Sequence, residues 1–82
     1  MSKTHHLKIL PEYFNAVRLG VKTFEIRKND RDYKVGDSLL LKEYDNNAFT
    51  GNVVKAIVTY ITDYAQKDDY VVMAIELPDK RN

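Results

Sequence analysis

The sequence contains no cysteine. That absence excludes disulfides, thiolate zinc sites, iron–sulfur clusters and a cysteine nucleophile, and it makes the cytoplasm the expected compartment. Glycine is scarce: the three residues, Gly20, Gly36 and Gly51, stand far apart. No glycine-rich loop is therefore available to cradle a phosphate, and no serine has the setting of a nucleophile elbow. Long apolar runs are missing too. The longest, such as Leu39-Leu40-Leu41 and Val71 to Ile75, fall far short of the roughly 20 residues a membrane-spanning helix needs. The opening Met1-Ser2-Lys3-Thr4-His5-His6 leads into no signal-peptide core. Nor is one sign of charge in surplus. Thirteen basic and 12 acidic side chains leave a net charge of +1, which speaks against a uniformly basic nucleic-acid binder but leaves room for a local patch.

What remains is a chain of 82 residues, 44% hydrophobic and 30% charged. That is the composition of a folded domain with one small core, and it is not that of a disordered segment. We expect one domain over residues 1–82, with its core at 5–77 and a frayed tail at 78–82.

The apolar pattern places the elements. His6 to Ile9 reads as a short strand with Leu7 and Ile9 on one face. Pro11 suits a first helical turn, where its missing N–H costs nothing, and Glu12 suits the positive end of the helix dipole. Tyr13, Phe14, Val17 and Val21 form one stripe, Arg18 falls in the last turn, and Gly20 is placed to stop a helix over 11–19. From Lys22 to Lys28 the pattern alternates, with Phe24 and Ile26 on one face and Thr23, Glu25 and Arg27 on the other. Asn29 to Asp32 is a polar loop, and Val35-Gly36-Asp37 a turn that launches a strand over 38–44. Consecutive Leu39, Leu40 and Leu41 imply cover on both faces of that strand, as in a small closed barrel. Asp45-Asn46-Asn47 and Thr50-Gly51-Asn52 both read as turns, followed by strands at 53–62 and 70–77 separated by the polar link 63–69. The order β-α-β-β-β-β, with a single helix, predicts an α+β fold: a small barrel of about five strands with the helix plugging one end.

Chemistry concentrates in Gly20-Val21-Lys22-Thr23-Phe24-Glu25-Ile26-Arg27. Thr23, Glu25 and Arg27 fall about 7 Å apart on one strand face, and Lys22 stands at the strand entrance. Facing inward, such a row would need a purpose, because unpaired charges are costly to bury. Facing outward, it would be a solvated edge with a weak Glu25–Arg27 pair. Residues 18–34 hold Arg18, Lys22, Arg27, Lys28, Arg31 and Lys34 against Glu25, Asp30 and Asp32, whereas residues 63–79 hold Lys67 against five acids. The basic stretch suits a phosphate backbone or a nucleotide, and Tyr33, Tyr44 and Tyr64, in or beside loops, suit stacking on bases. Ordinary charge scatter with tyrosines at the core rim is the competing explanation. His5-His6 lacks metal-ligand spacing and is expected to lie in a mobile terminus. Asp30-Arg31-Asp32 lacks the further oxygens of a calcium loop, and Asp68-Asp69 reads as a solvated turn. We expect no metal and no cofactor.

The octapeptide resembles the G-x-K-x-x-E-x-R signature of the ASCH domain (activating signal cointegrator homology), a branch of the PUA-like superfamily. The likeness extends to His6-Leu7-Lys8-Ile9-Leu10-Pro11-Glu12-Tyr13-Phe14, to Phe24-Glu25-Ile26-Arg27-Lys28-Asn29-Asp30-Arg31, to Val35-Gly36-Asp37 and to Tyr70-Val71-Val72-Met73. Together these resemble a small bacterial and phage subfamily, DUF3850, over roughly residues 5–77. The resemblance implies a PUA-like β-barrel whose signature lines a cleft beside the helix, in a module that binds RNA or nucleotides. Lys22 and Arg27 would hold a phosphate or a base carbonyl, and Glu25 would accept from a base amino group or orient Arg27. The ligand-binding set expected is Lys22, Thr23, Glu25, Arg27, Lys28, Arg31 and Tyr33. Some ASCH relatives are amidohydrolases of acetylated cytidine, with a lysine, a threonine and a helical glutamate as their apparatus. Lys22 matches, but Glu25 stands where the threonine belongs, and the link 63–69 has no helix-length stretch. Binding without catalysis is therefore the leading expectation. The alternatives are a small amidohydrolase using Lys22 and Glu25 on an acylated nucleoside, and a protein-interaction module.

Overall fold

The computed structural model describes residues 2–78. Its elements are β1 (Thr4–Ile9), α1 (Pro11–Arg18), β2 (Phe24–Lys28), β3 (Ser38–Asp45), β4 (Ala48–Thr62) and β5 (Tyr70–Glu76). Met1 and positions 79–82, most of the expected tail, lie outside the described residues.

The helix forms where its sequence signals place it. Pro11 occupies the first turn, Glu12 follows, and Arg18 ends the last turn. Leu19 and Gly20 close it with a Schellman arrangement: the Val21 N–H donates to the Ala16 carbonyl at 2.9 Å and the Gly20 N–H to the Val17 carbonyl at 2.9 Å. Gly20 supplies the left-handed residue, at φ 77°. That reversal carries Val21 out of the helical stripe, so it is exposed instead of buried; Phe14 and Val17 alone turn fully into the core.

The five strands form one mixed sheet in the order β1-β3-β4-β5-β2. β1 runs parallel to β3, and the other pairs are antiparallel. β3 and β4 are joined by Asn46 and Asn47 at φ 50° and 62°, the signature of a type I′ hairpin turn, whose twist matches that of its strands. Thr50-Gly51-Asn52 is not a turn, as its composition had suggested. It lies within β4, which starts at Ala48, and Gly51 at φ 97° accommodates a register shift opposite Glu43. The Glu43 carboxylate accepts from Thr50 Oγ1 at 2.8 Å and Asn52 Nδ2 at 3.0 Å. These bonds hold its pKa below the usual carboxylate range.

The sheet curls into a half-barrel around Leu7, Ile9, Leu39, Leu41, Ala56, Val58, Val71, Met73 and Ile75, and α1 adds Phe14 and Val17. Closure is where the expected barrel needs correction. Among the described residues no backbone ladder joins β1 to β2, so two free edges face each other across a seam. The chain gives β2 only five residues, already paired along one side to β5. No helix among the described residues is long and apolar enough to cross a membrane.

Candidate functional site

The seam is where chemistry gathers. The Ile75 N–H donates to the Thr23 carbonyl at 3.0 Å, and Glu25 pairs with Met73. By antiparallel alternation, the odd residues of β2 bond to β5 while Phe24 and Ile26 direct their N–H and C=O groups into the seam. The side chains alternate the other way. Glu25 is 3% exposed, whereas Phe24 and Ile26 are 44% and 50% exposed. The acid of this strand is thus inside and its apolar residues outside, the reverse of an ordinary half-buried strand.

Glu25 is buried with both carboxylate oxygens engaged. Oε1 accepts from Lys22 Nζ, and Oε2 accepts from Arg27 Nε at 2.9 Å. Arg27 Nη2 also lies 2.9 Å from Oε2 and donates across the seam to the Lys8 carbonyl of β1 at 2.9 Å. One guanidinium therefore bridges the two sheet edges, and its Nη1 takes no part in these bonds. Lys22 Nζ donates further to the Phe24 carbonyl at 2.6 Å and lies 4.7 Å from the Phe24 ring and 5.8 Å from the Tyr13 ring. Burying one carboxylate between two cations is tolerable because every oxygen is met; removing one partner would strand charge.

Above this triad opens a cleft of about 450 Å³, within the range of small-ligand sites. Its charged lining is Lys8, Lys22 and Arg27 against Glu25 alone, and its apolar lining is Ile9, Leu10, Tyr13, Phe24 and Ile26. The cleft thus carries two more cations than anions and has aromatic walls. Of the residues expected from sequence, the structure brings together Lys22, Glu25 and Arg27. Thr23 is exposed and lines a neighbouring cavity of about 200 Å³ with Val17, Gly20 and Leu77. Lys28 is exposed at the end of β2, and Arg31 is exposed and 3.9 Å from Asp30. Lys34 likewise pairs with Asp32 at 3.3 Å, so much of the basic stretch 18–34 is met by its own acids. Tyr33 is packed into the core at 5% exposure, its ring edge-on to His5 at 4.8 Å, and burial raises its pKa.

Sequence reasoning missed Lys8, Leu10 and Tyr13 as cleft residues, because only the parallel β1–β3 pairing and the curl of the sheet bring them opposite β2. It also misplaced His5. This residue is buried in β1, and its Nε2 meets Asp37 Oδ2 at 2.7 Å. Asp37 also accepts from the backbone N–H groups of Lys3 and Lys34, each at 3.0 Å. Burial works to raise the Asp37 pKa, but the bonds from Lys3, His5 and Lys34 outweigh it and hold the carboxyl below its usual value. The period-two pattern of β1, with His5 in phase with Leu7 and Ile9, was the available signal.

The family model of a domain of unknown function, DUF3850, matches residues 4–75. The chain belongs to the DUF3850 family. A curated relative, an uncharacterized 12.9 kDa protein in the GpA 3′ region of Escherichia phage P2, is 42% identical over 74 residues, covering 89% of this chain and 68% of that one. The DUF3850 match spans β1 through most of β5 and so contains every residue that lines the cleft.

Proposed function

We propose that this DUF3850 chain is an RNA- or nucleotide-binding module of the ASCH type, within the PUA-like superfamily, and that it takes its ligand in the seam cleft. The observation that carries this reading is the pairing of a cationic excess with aromatic walls in one small cleft. A phosphate is attracted by Lys8, Lys22 and Arg27, while a base finds apolar and aromatic surface on Tyr13 and Phe24. A cleft of about 450 Å³ takes a nucleotide or a splayed base, and a duplex is far too large for it. Glu25 acts here as the group that holds Lys22 and Arg27 in place, since its oxygens are already engaged. The half-barrel and the signature triad at its seam agree with the ASCH resemblance. The amidohydrolase reading has weaker support: Thr23 lies outside the cleft, and the link from Asp63 to Asp69 forms turns in place of a helix.

The test is binding of a nucleotide panel and of short RNAs, measured across salt, for wild type, for Lys22→Gln/Arg27→Gln and for Phe24→Ala. We expect wild-type binding that weakens with salt and falls about tenfold or more in the double variant. Phe24→Ala leaves the ion triad intact and so separates binding from folding; it is expected to cost about 1–3 kcal/mol of binding. No binding by wild type, or binding indifferent to all three substitutions, overturns the proposal. Release of an acyl group from acylated nucleosides would replace it with the hydrolase.

A further inference from the structure

The face of the sheet turned away from the core has a composition of its own. Leu7, Leu41 and Val54 point inward, so alternation turns Lys8 of β1, Lys42 and Tyr44 of β3, and Phe49, Val53 and Lys55 of β4 to the outside. Among the described residues, no carboxylate shares this outer face on β1, on β3 or on β4 as far as Ile57. The first is Glu76 of β5, opposite Ile57. Lys8 and Lys42 are direct cross-strand neighbours, and Lys42 pairs in turn with Val53. Adjacent like charges on a sheet are unfavourable unless an anion meets them. Beside them Lys8 Nζ lies 4.1 Å from the Tyr44 ring, and Tyr44 meets Phe49 edge-on with centroids 5.0 Å apart. Phe49 is more than half exposed, which leaves its ring open to a stacking partner.

We propose that this face is a track for single-stranded nucleic acid. Lysines 8, 42 and 55 hold successive phosphates, and Phe49 with Tyr44 offers a ring surface on which an unpaired base stacks. Lys8 joins the track to the cleft, because it lines the cleft and also sits on Tyr44. The inference deepens the cleft proposal and rests on it for the chemistry of the ligand. It adds that the natural ligand is a strand, longer than the one nucleotide the cleft can hold. A duplex would present its phosphates but keep its bases from Phe49, and an acidic peptide would leave the rings unused.

The experiment compares a uridine mononucleotide, an oligouridylate and an oligodeoxythymidylate of about 12 nucleotides, and an RNA duplex of equal length. The variants are Lys42→Gln/Lys55→Gln and Phe49→Ala, neither in the cleft, with thermal melts confirming the fold. Wild type should bind at least one of the oligomers about tenfold or more tighter than the mononucleotide. The lysine variant should lose most of that gain, with a salt slope shallower by about 1.4, and Phe49→Ala should weaken the oligomer alone. Equal wild-type affinity for oligomer and mononucleotide overturns the track and leaves the cleft standing, as does oligomer binding unchanged in both variants. Duplex binding as tight as that of the single strands also overturns it. Binding of no probe overturns both proposals together.

Discussion

Glu25 and Asp37 are both carboxylates buried almost completely, yet their partners differ in kind. Asp37 is held by two backbone N–H groups and an imidazole, packed against the buried ring of Tyr33. Its side chains line neither of the cavities described above, and its effect is to pin the start of β1 to the turn before β3. Glu25 is held by two long flexible cations whose side chains are partly exposed, under a cleft with aromatic walls. A carboxylate that binds backbone fixes the fold; one that binds mobile cations fixes where positive charge is presented. Only the second arrangement has spare hydrogen-bonding capacity for a ligand.

Four outcomes break or sharpen this contrast. Asp37→Asn should be the most damaging, because it sets an amide N–H₂ among donors: we expect about 3 kcal/mol of lost stability in urea melts, with nucleotide affinity unchanged in the folded fraction. Glu25→Gln should cost less, about 2 kcal/mol, because Lys22 and Arg27 can turn partly to water. It should also weaken nucleotide binding severalfold, although the cleft gains positive charge; tighter binding instead would show that charge alone matters and the contrast fails. Arg27→Lys keeps the charge but cannot reach Glu25 and the Lys8 carbonyl together, and should cost about 1 kcal/mol in the same melts. The smallest effect concerns pH. The Asp37 carboxyl has a folded pKa below its unfolded value, so its contribution is present above about pH 4 and is lost as pH falls through the folded pKa. Stability measured from neutral to acid pH should therefore fall less steeply in Asp37→Asn than in wild type.

Much of the fold was legible because it rests on local signals. The helix was written in Pro11, Glu12 and Gly20, and the β3–β4 reversal in Asn46-Asn47. Thr50-Gly51-Asn52 misled because the same residue types serve a turn and a bulge, and only the carboxylate of Glu43 across the ladder decides between them. Lys22, Glu25 and Arg27 could be picked out along a single strand, but whether Glu25 faced in or out could not, since Phe24 and Ile26 on the opposite face are the better apolar candidates for burial. Burial of the acid is settled by partners close by in sequence, Lys22 just before the strand and Arg27 within it. The cleft's other wall, Lys8 to Tyr13, could not be read from β2 at all, because it arrives through the pairing of β1 with β3. Tyr33 shows the converse: a loop position that suggested a stacking surface is occupied by a core residue, because His5 offers its ring from β1.

The strand order also has a kinetic consequence. β3 and β4 meet through a two-residue turn, while β1 must wait for a partner that leaves Lys3 and Asp37 34 residues apart in sequence, and β2 must wait for β5, with Phe24 opposite Ala74. Loop closure of this kind is slow, and local hairpins precede it. Both walls of the cleft draw on the outermost strands of the sheet, β1 and β2, and these strands are the last to dock and the first to open. Amide hydrogens of β2 should accordingly exchange faster than those at the centre of β4, and a ligand gripping both edges should slow that exchange as it binds. The unclosed seam would then couple occupancy of the cleft to the lifetime of the whole half-barrel.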